Sequence, residues 1–247
     1  MRLSLSFQAF SKKKLTLITS KPHNRPMEQR KSPKKGRYHH GNLAESLLDA
    51  VDEIASQFGL EAVTLRACAK RVGVSPSSAF RHYTDKRALL TAFATRALHE
   101  LCQAMTEATP ENDPDQNPDN GEGESDAFTA VGLAYIRFAI DKPAFFRAMW
   151  REETIYSNDA QYQASADRLS AILKAGFADT LQDKDPMALS TEELLAWSSV
   201  HGLANLYVDG PVGHDKTREE KLQAAAKMIR ALKPVFDTAA KLQIVSG

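Results

Sequence analysis

The chain has 247 residues, 43% hydrophobic and 26% charged, enough to bury a real core in one large domain or two modest ones. The net charge is only +1, and the two cysteines, Cys68 and Cys102, match no metal or redox spacing, so both are expected reduced, structural and cytoplasmic. No apolar run approaches the roughly 18–20 residues of a membrane helix.

The first element is a tail. Residues 1–36 carry ten Lys or Arg against one acid, Glu28. Lys12, Lys13 and Lys14 interrupt its apolar part, so no secretory signal is read there. Three readings of the tail stand side by side. It is a basic arm adding phosphate attraction, a disordered solvated tail, or in part an extension ahead of a true start at Met27.

Helical periodicity dominates from there on, and strand signals are nearly absent. Leu43, Leu47, Leu48, Val51, Ile54, Ala55 and Phe58 fall on one helical face, with Asn42 as cap and Gly59 as stop. Thr64 caps a short second helix whose buried face is Leu65, Cys68, Ala69 and Val72. Gly73 supplies a tight turn, and Ser75-Pro76 opens a third helix. Asp85 caps a longer fourth, with Leu89, Leu90, Phe93, Ala97 and Leu101 along it. Residues 106–126 hold eight acids and no base, and read as a mobile, acidic surface loop. Five more helices follow, at roughly 126–140, 143–152, 158–182, 190–208 and 216–243. Pro143 suits a first turn, Ser190 with Glu193 has capping-box spacing, Gly210-Pro211 closes a helix, and Pro234 is expected to kink or split the last one. The expected fold is all-α, with about nine helices: an N-terminal helix-turn-helix unit of three helices over 37–90 and a helical bundle over 91–247.

Residues 64–83, TLRACAKRVGVSPSSAFRHY, are two short amphipathic helices joined by a glycine turn, the helix-turn-helix arrangement. The N-terminal half of the second helix enters the major groove in such units. Ser75 to Ala79 is composed of small residues that let the backbone approach base edges. Ser77 and Ser78 can hydrogen-bond to bases, and Arg81 and His82 reach further. The run Thr64, Gly73-Val74-Ser75, Phe80, His82-Tyr83, Lys86 and Leu89-Leu90 resembles the TetR/AcrR family of bacterial regulators. The resemblance implies that Thr64, Tyr83 and Lys86 contact phosphate, while Arg66, Ser77, Ser78 and Arg81 read bases or lie near them. His82 touches either, and Ser75 completes the DNA-binding set. Arg66 is a candidate for a bidentate pair with guanine. Phe80 stands where the family often has tyrosine and is expected to face the core.

In the second half, DKPAFFRAMW (141–150) and WSSVHGLANLYVDG (197–210) resemble a subgroup named for a Trp-His-Gly signature, here Trp197, His201 and Gly202. The helix around 197–208 is apolar over so much of its circumference that more than one side must be covered. The resemblance implies a homodimer through the last two helices, on a palindromic double-stranded DNA operator. It also implies a small-molecule effector within residues 126–210. The density of aromatic side chains there suits a lipophilic or aromatic compound. Candidate pocket residues are Tyr135, Phe138, Phe146, Trp150, Phe177, Trp197 and His201, with a hydrogen-bonded structural role also open for His201.

Neither a cofactor nor a metal site is expected. His39-His40 lacks carboxylate or thiolate neighbours, and no nucleophile elbow, phosphate loop or HExxH occurs. The sequence therefore reads as a ligand-responsive DNA-binding repressor and not an enzyme. The alternative is a helical interaction protein on the same scaffold that does not read DNA.

Overall fold

The computed structural model describes residues 42–108, 127–175 and 191–245. Phe177, Ser190, the His39-His40 pair, the basic tail and most of the acidic stretch lie outside them. The chain divides into Met1–His39 and His40–Gly247, and everything described belongs to the second unit. Among the described residues there are nine α-helices and no strand, the all-α architecture expected.

Local signals set the first four helices. Asn42 accepts a hydrogen bond from the Glu45 N–H at 3.4 Å to start α1 (Leu43–Phe58), and Gly59 closes it by donating to the Ala55 carbonyl at 2.9 Å. The apolar stripe buries Leu47, Leu48, Val51, Ile54 and Ala55. Phe58 departs from expectation and is 61% exposed. It occupies the last helical position, and Leu60 and Val63 of the following turn fill the core at that end instead. Thr64 caps α2 (Leu65–Val72), Ser75 caps α3 (Pro76–Phe80), and Asp85 caps α4 (Lys86–Thr106), each accepting from the N–H three residues on. Each such cap typically contributes about 1 kcal/mol.

Helix α4 belongs to both halves of the molecule. It packs on α1 and also on α5 (Ala127–Asp141), α6 (Pro143–Met149) and α7 (Ala160–Ala175). Phe93 of α4 stacks on Phe145 of α6, with ring centroids 4.4 Å apart. One continuous apolar core consequently runs from Leu47 in α1 to Ile229 in the last helix. At the rim, Arg96 bonds Asp49 at 2.7 Å and Glu100 at 3.0 Å, and Glu100 also pairs with Lys142, tying α1, α4 and α6 together.

Helix α5 is covered on its other side by α8 (Thr191–Val208) and α9 (Arg218–Val245). Two expectations change here. Helix α6 ends at Met149 rather than near 152, giving way to a 3-10 turn at Glu152–Thr154. Pro234 does not split α9, which continues through it. Pro234 is exposed, so its ring lies on the outer side of the helix and not in the core.

Candidate DNA-reading surface and aromatic core

Gly73 creates the angle between α2 and α3. It adopts the left-handed conformation at φ 81, and its N–H and that of Val74 both donate to the Ala69 carbonyl at 2.9 Å. The buried faces of α2 (Leu65, Cys68, Ala69, Val72) and Ala79 of α3 turn inward, leaving the polar faces outside. Burial raises the Cys68 thiol to about 11, so that cysteine is an inert core residue.

The proposed contact residues divide into two groups. Arg66, Ser77, Arg81 and His82 are exposed, and Ser78 is half-buried beside them. Phe80, expected in the core, is instead 45% exposed on the same short helix. The serines are mutually bonded: Ser75 Oγ lies 2.9 Å from Ser77 Oγ and 2.8 Å from Ser78 Oγ. Ser75 also accepts from the Ser78 N–H, so its hydroxyl is committed to shaping the helix start.

The second group holds the frame. Thr64 is exposed but spends its oxygen on the Ala67 N–H at 3.0 Å. Tyr83, expected at phosphate, is half-buried and donates its one O–H to the Ala44 carbonyl at 3.3 Å. Burial raises its pKa to about 12. In this arrangement Tyr83 has no proton left to offer a phosphate. Lys86 donates to the carbonyls of Leu60 (3.1 Å) and Glu61 (3.0 Å), clamping the α1–α2 connection to the start of α4, and keeps a third donor. Arg71 pairs with Glu53 at 3.1 Å.

In the second half, the structure gathers Tyr135, Phe146, Trp150, Trp197 and His201 from α5, α6 and α8. The His201 ring stacks on Trp197 (5.1 Å, 11°) and meets Trp150 edge-on at 4.9 Å. Tyr135 packs edge-on against Trp197 (5.4 Å) and Phe146 (6.0 Å). Phe138 is not part of this cluster; it packs beside Phe145, toward the Phe93 stack.

His201 is hydrogen-bonded at both ring nitrogens. Nδ1 lies 2.7 Å from the Tyr135 hydroxyl, and Nε2 lies 2.8 Å from Asn205 Nδ2, which also donates to the His201 carbonyl at 2.9 Å. With Asn205 donating, Nε2 must accept, so Nδ1 carries the proton and donates to Tyr135. A protonated imidazole would set N–H against N–H at Asn205. Burial acts in the same direction, pushing the His201 pKa from 6.5 to about 4. Asn205, one helical turn beyond His201, was not anticipated from the sequence, although its i,i+4 spacing is the signal that could have marked it.

Residues 47–93 match the family model described as bacterial regulatory proteins, tetR family. Residues 128–232 match the model described as tetracyclin repressor-like, C-terminal domain. The chain is 30% identical over 108 residues to the uncharacterized HTH-type transcriptional regulator YobS of Bacillus subtilis, an alignment covering 44% of this chain and 51% of YobS. It is 28% identical over 155 residues to the HTH-type transcriptional repressor KstR of Rhodococcus jostii, covering 62% of this chain and 65% of KstR. The chain thus spans about half to just under two thirds of the curated relatives it matches. A solved structure, of a protein of unknown function from Rhodococcus sp. RHA1, is similar at 26% identity and a TM-score of 0.57, covering 78% of this chain and 97% of that one. With one match on the helix-turn-helix and a second on the bundle built around α4, the chain belongs to the TetR family of bacterial transcriptional regulators.

Proposed function

We propose that the chain is a repressor that binds a palindromic operator as a two-fold homodimer and is released by a small lipophilic or aromatic molecule. The observation that carries the DNA-reading part is the outward set Arg66, Ser77, Phe80, Arg81 and His82, on helices whose opposite faces are locked into the core. Arginine offers the fork that suits guanine, and small residues on α3 permit close approach to base edges. Thr64, Ser75, Tyr83 and Lys86 serve this surface mainly by fixing its frame, and Ser78 stands at its edge. Residues 37–90 form the reading unit and 91–247 the sensing and dimerising unit, with the basic residues of 1–36 adding salt-sensitive phosphate attraction. Such a protein works where the chromosome is, in the bacterial cytoplasm, and its task is occupancy of DNA rather than catalysis.

Dimerisation through α8 and α9 is supported by what α8 leaves uncovered. Leu195 and Leu206 are 40% and 42% exposed and lie on one stripe with Ser199 and Gly202. A Cβ built on Gly202 meets nothing within 4 Å. The opposite face, Ala196, Val200, Ala204 and Tyr207, is the buried one. A second copy is what an isologous interface would place on that stripe.

The effector reading rests on the Tyr135–Phe146–Trp150–Trp197–His201 cluster, two of whose members, Trp197 and His201, stand in the stretch that resembles the Trp-His-Gly signature. His201 is held neutral, so the cluster favours an uncharged, ring-bearing compound over an ion. The KstR relative is a transcriptional repressor, which supports repression here. The test is mapping of bound DNA across the genome, backed by selection from random-sequence duplexes in vitro. An inverted repeat with half-sites about one helical turn apart is expected. Absence of any enriched sequence would refute the reading and leave a helical interaction protein.

A further inference from the structure

The segment that follows the aromatic core leads directly to the reading unit. Trp150 packs on His201 and Trp197, with ring centroids 4.9 and 5.3 Å away. The next residue, Arg151, pairs with Glu61 in the turn between α1 and α2. Lys86 holds the carbonyl of that same Glu61. Four residues later the chain is anchored again, at the start of α4. Ile155 is fully buried, and its carbonyl accepts from Arg87 Nε at 2.7 Å. The Tyr156 N–H donates to Thr91 Oγ1 at 2.8 Å, and Thr91 is itself buried and donates to the Arg87 carbonyl at 2.7 Å. The Tyr156 hydroxyl donates to Asp85 Oδ2 at 2.8 Å, and the Arg87 guanidinium lies 4.7 Å from the Tyr156 ring.

Asp85 matters beyond this contact, because its other oxygen caps α4 by accepting from the Ala88 N–H at 2.8 Å. Glu61 and Asp85 therefore sit at the two places where the helix-turn-helix joins the rest of the protein: its entrance before Thr64 and its exit after Tyr83. One seven-residue segment grips both, and its first residue is part of the aromatic cluster.

We propose that residues 150–156 are a positioning strap, in which Arg151 and Tyr156 transmit the packing of Trp150 against His201 to the pose of the helix-turn-helix. This rests on the reading of the chain as an effector-responsive DNA-binding protein. A shift of Trp150 moves Arg151 and, through Ile155 and Tyr156, the start of α4. Because coupling is reciprocal, DNA held by the reading unit must also alter the aromatic core. Trp150 and Trp197 are the two tryptophans of the whole chain, so intrinsic emission reports that core alone.

The test titrates the full chain with the duplex recovered by random-sequence selection, following tryptophan emission and, separately, anisotropy of labelled DNA. The variants are Tyr156→Phe, which removes the hydroxyl from Asp85 and keeps the ring under Arg87, and Arg151→Met with Tyr156→Phe. DNA saturation is expected to shift emission in the wild type. In the double variant the shift should fall to less than half while DNA is still bound, with affinity changed by roughly threefold or more. Arg151→Lys alone should retain most of the shift. If the double variant does not fold, Tyr156→Phe alone carries the test, with a smaller loss. A variant whose shift equals that of the wild type overturns the strap, as does a wild type that binds its duplex with no change in emission. A wild type that selects no sequence overturns the strap together with the DNA-binding reading.

Discussion

Acidification of the protein tests the aromatic core quantitatively. His201 is half-buried and held as the neutral imidazole, its pKa pushed from 6.5 to about 4. A base depressed in the folded state loses nothing above its unfolded pKa. As pH falls from about 6.5 toward 4, the unfolded chain takes up the proton first and native stability drains away. At about 1.4 kcal/mol per pKa unit, this residue alone should cost the native state about 2 kcal/mol on going from near pH 7.5 to near pH 5. Urea unfolding followed by tryptophan emission, at fixed protein concentration, measures this in the wild type and in His201→Gln. Carboxylates that titrate over the same range act on both proteins and cancel in the comparison. The stability gap between wild type and variant should narrow by about 2 kcal/mol at the lower pH. A gap that stays constant would mean that folded His201 protonates freely and that its bonding to Asn205 and Tyr135 is not as described.

Three further outcomes are expected. Gly73→Ala should destabilise by about 1–2 kcal/mol, because Gly73 is left-handed while nothing lies within 4 Å of an added Cβ, so the cost is backbone strain alone; an unchanged denaturant midpoint would contradict this. Leu195→Asp with Leu206→Asp should yield a folded monomer by sedimentation with operator binding weakened at least tenfold, and an intact dimer would remove α8 from the interface. Phe80→Ala should leave stability within about 0.5 kcal/mol, as for an exposed residue, yet weaken operator binding; a large loss of stability would return Phe80 to the core.

Much of the reading unit was legible in the sequence because its determinants are local. Asn42, Thr64, Ser75 and Asp85 each cap a helix through a bond to a residue three positions on, and Gly73 sets its turn through its own φ. Phe80 is exposed against the expectation because a five-residue helix offers too little periodicity to decide which way one ring points. The resemblance implies phosphate contacts for Tyr83 and Lys86, but sequence alone cannot show what holds these side chains. Their partners, Ala44 and the Leu60–Glu61 carbonyls, lie 39, 26 and 25 residues away and are set by tertiary packing. The same holds for Arg151 and Tyr156, whose partners Glu61 and Asp85 are 90 and 71 residues distant. In the bundle, aromatic density marks rings on α5, α6 and α8 but cannot separate Phe138, which packs with Phe145, from the rings around His201.

The proposed function requires the exposed face of α2 and α3 to read a DNA sequence. The most direct measurement is the ratio of affinities for the selected duplex and a scrambled duplex at one fixed salt concentration, in wild type, Arg66→Ala and Arg81→Ala. We predict a wild-type ratio of roughly a thousandfold or more. At least one arginine variant should lose about 1–3 kcal/mol of specific binding, with unchanged thermal stability. Equal affinity for both duplexes in the wild type, or arginine variants indistinguishable from it, would contradict the claim.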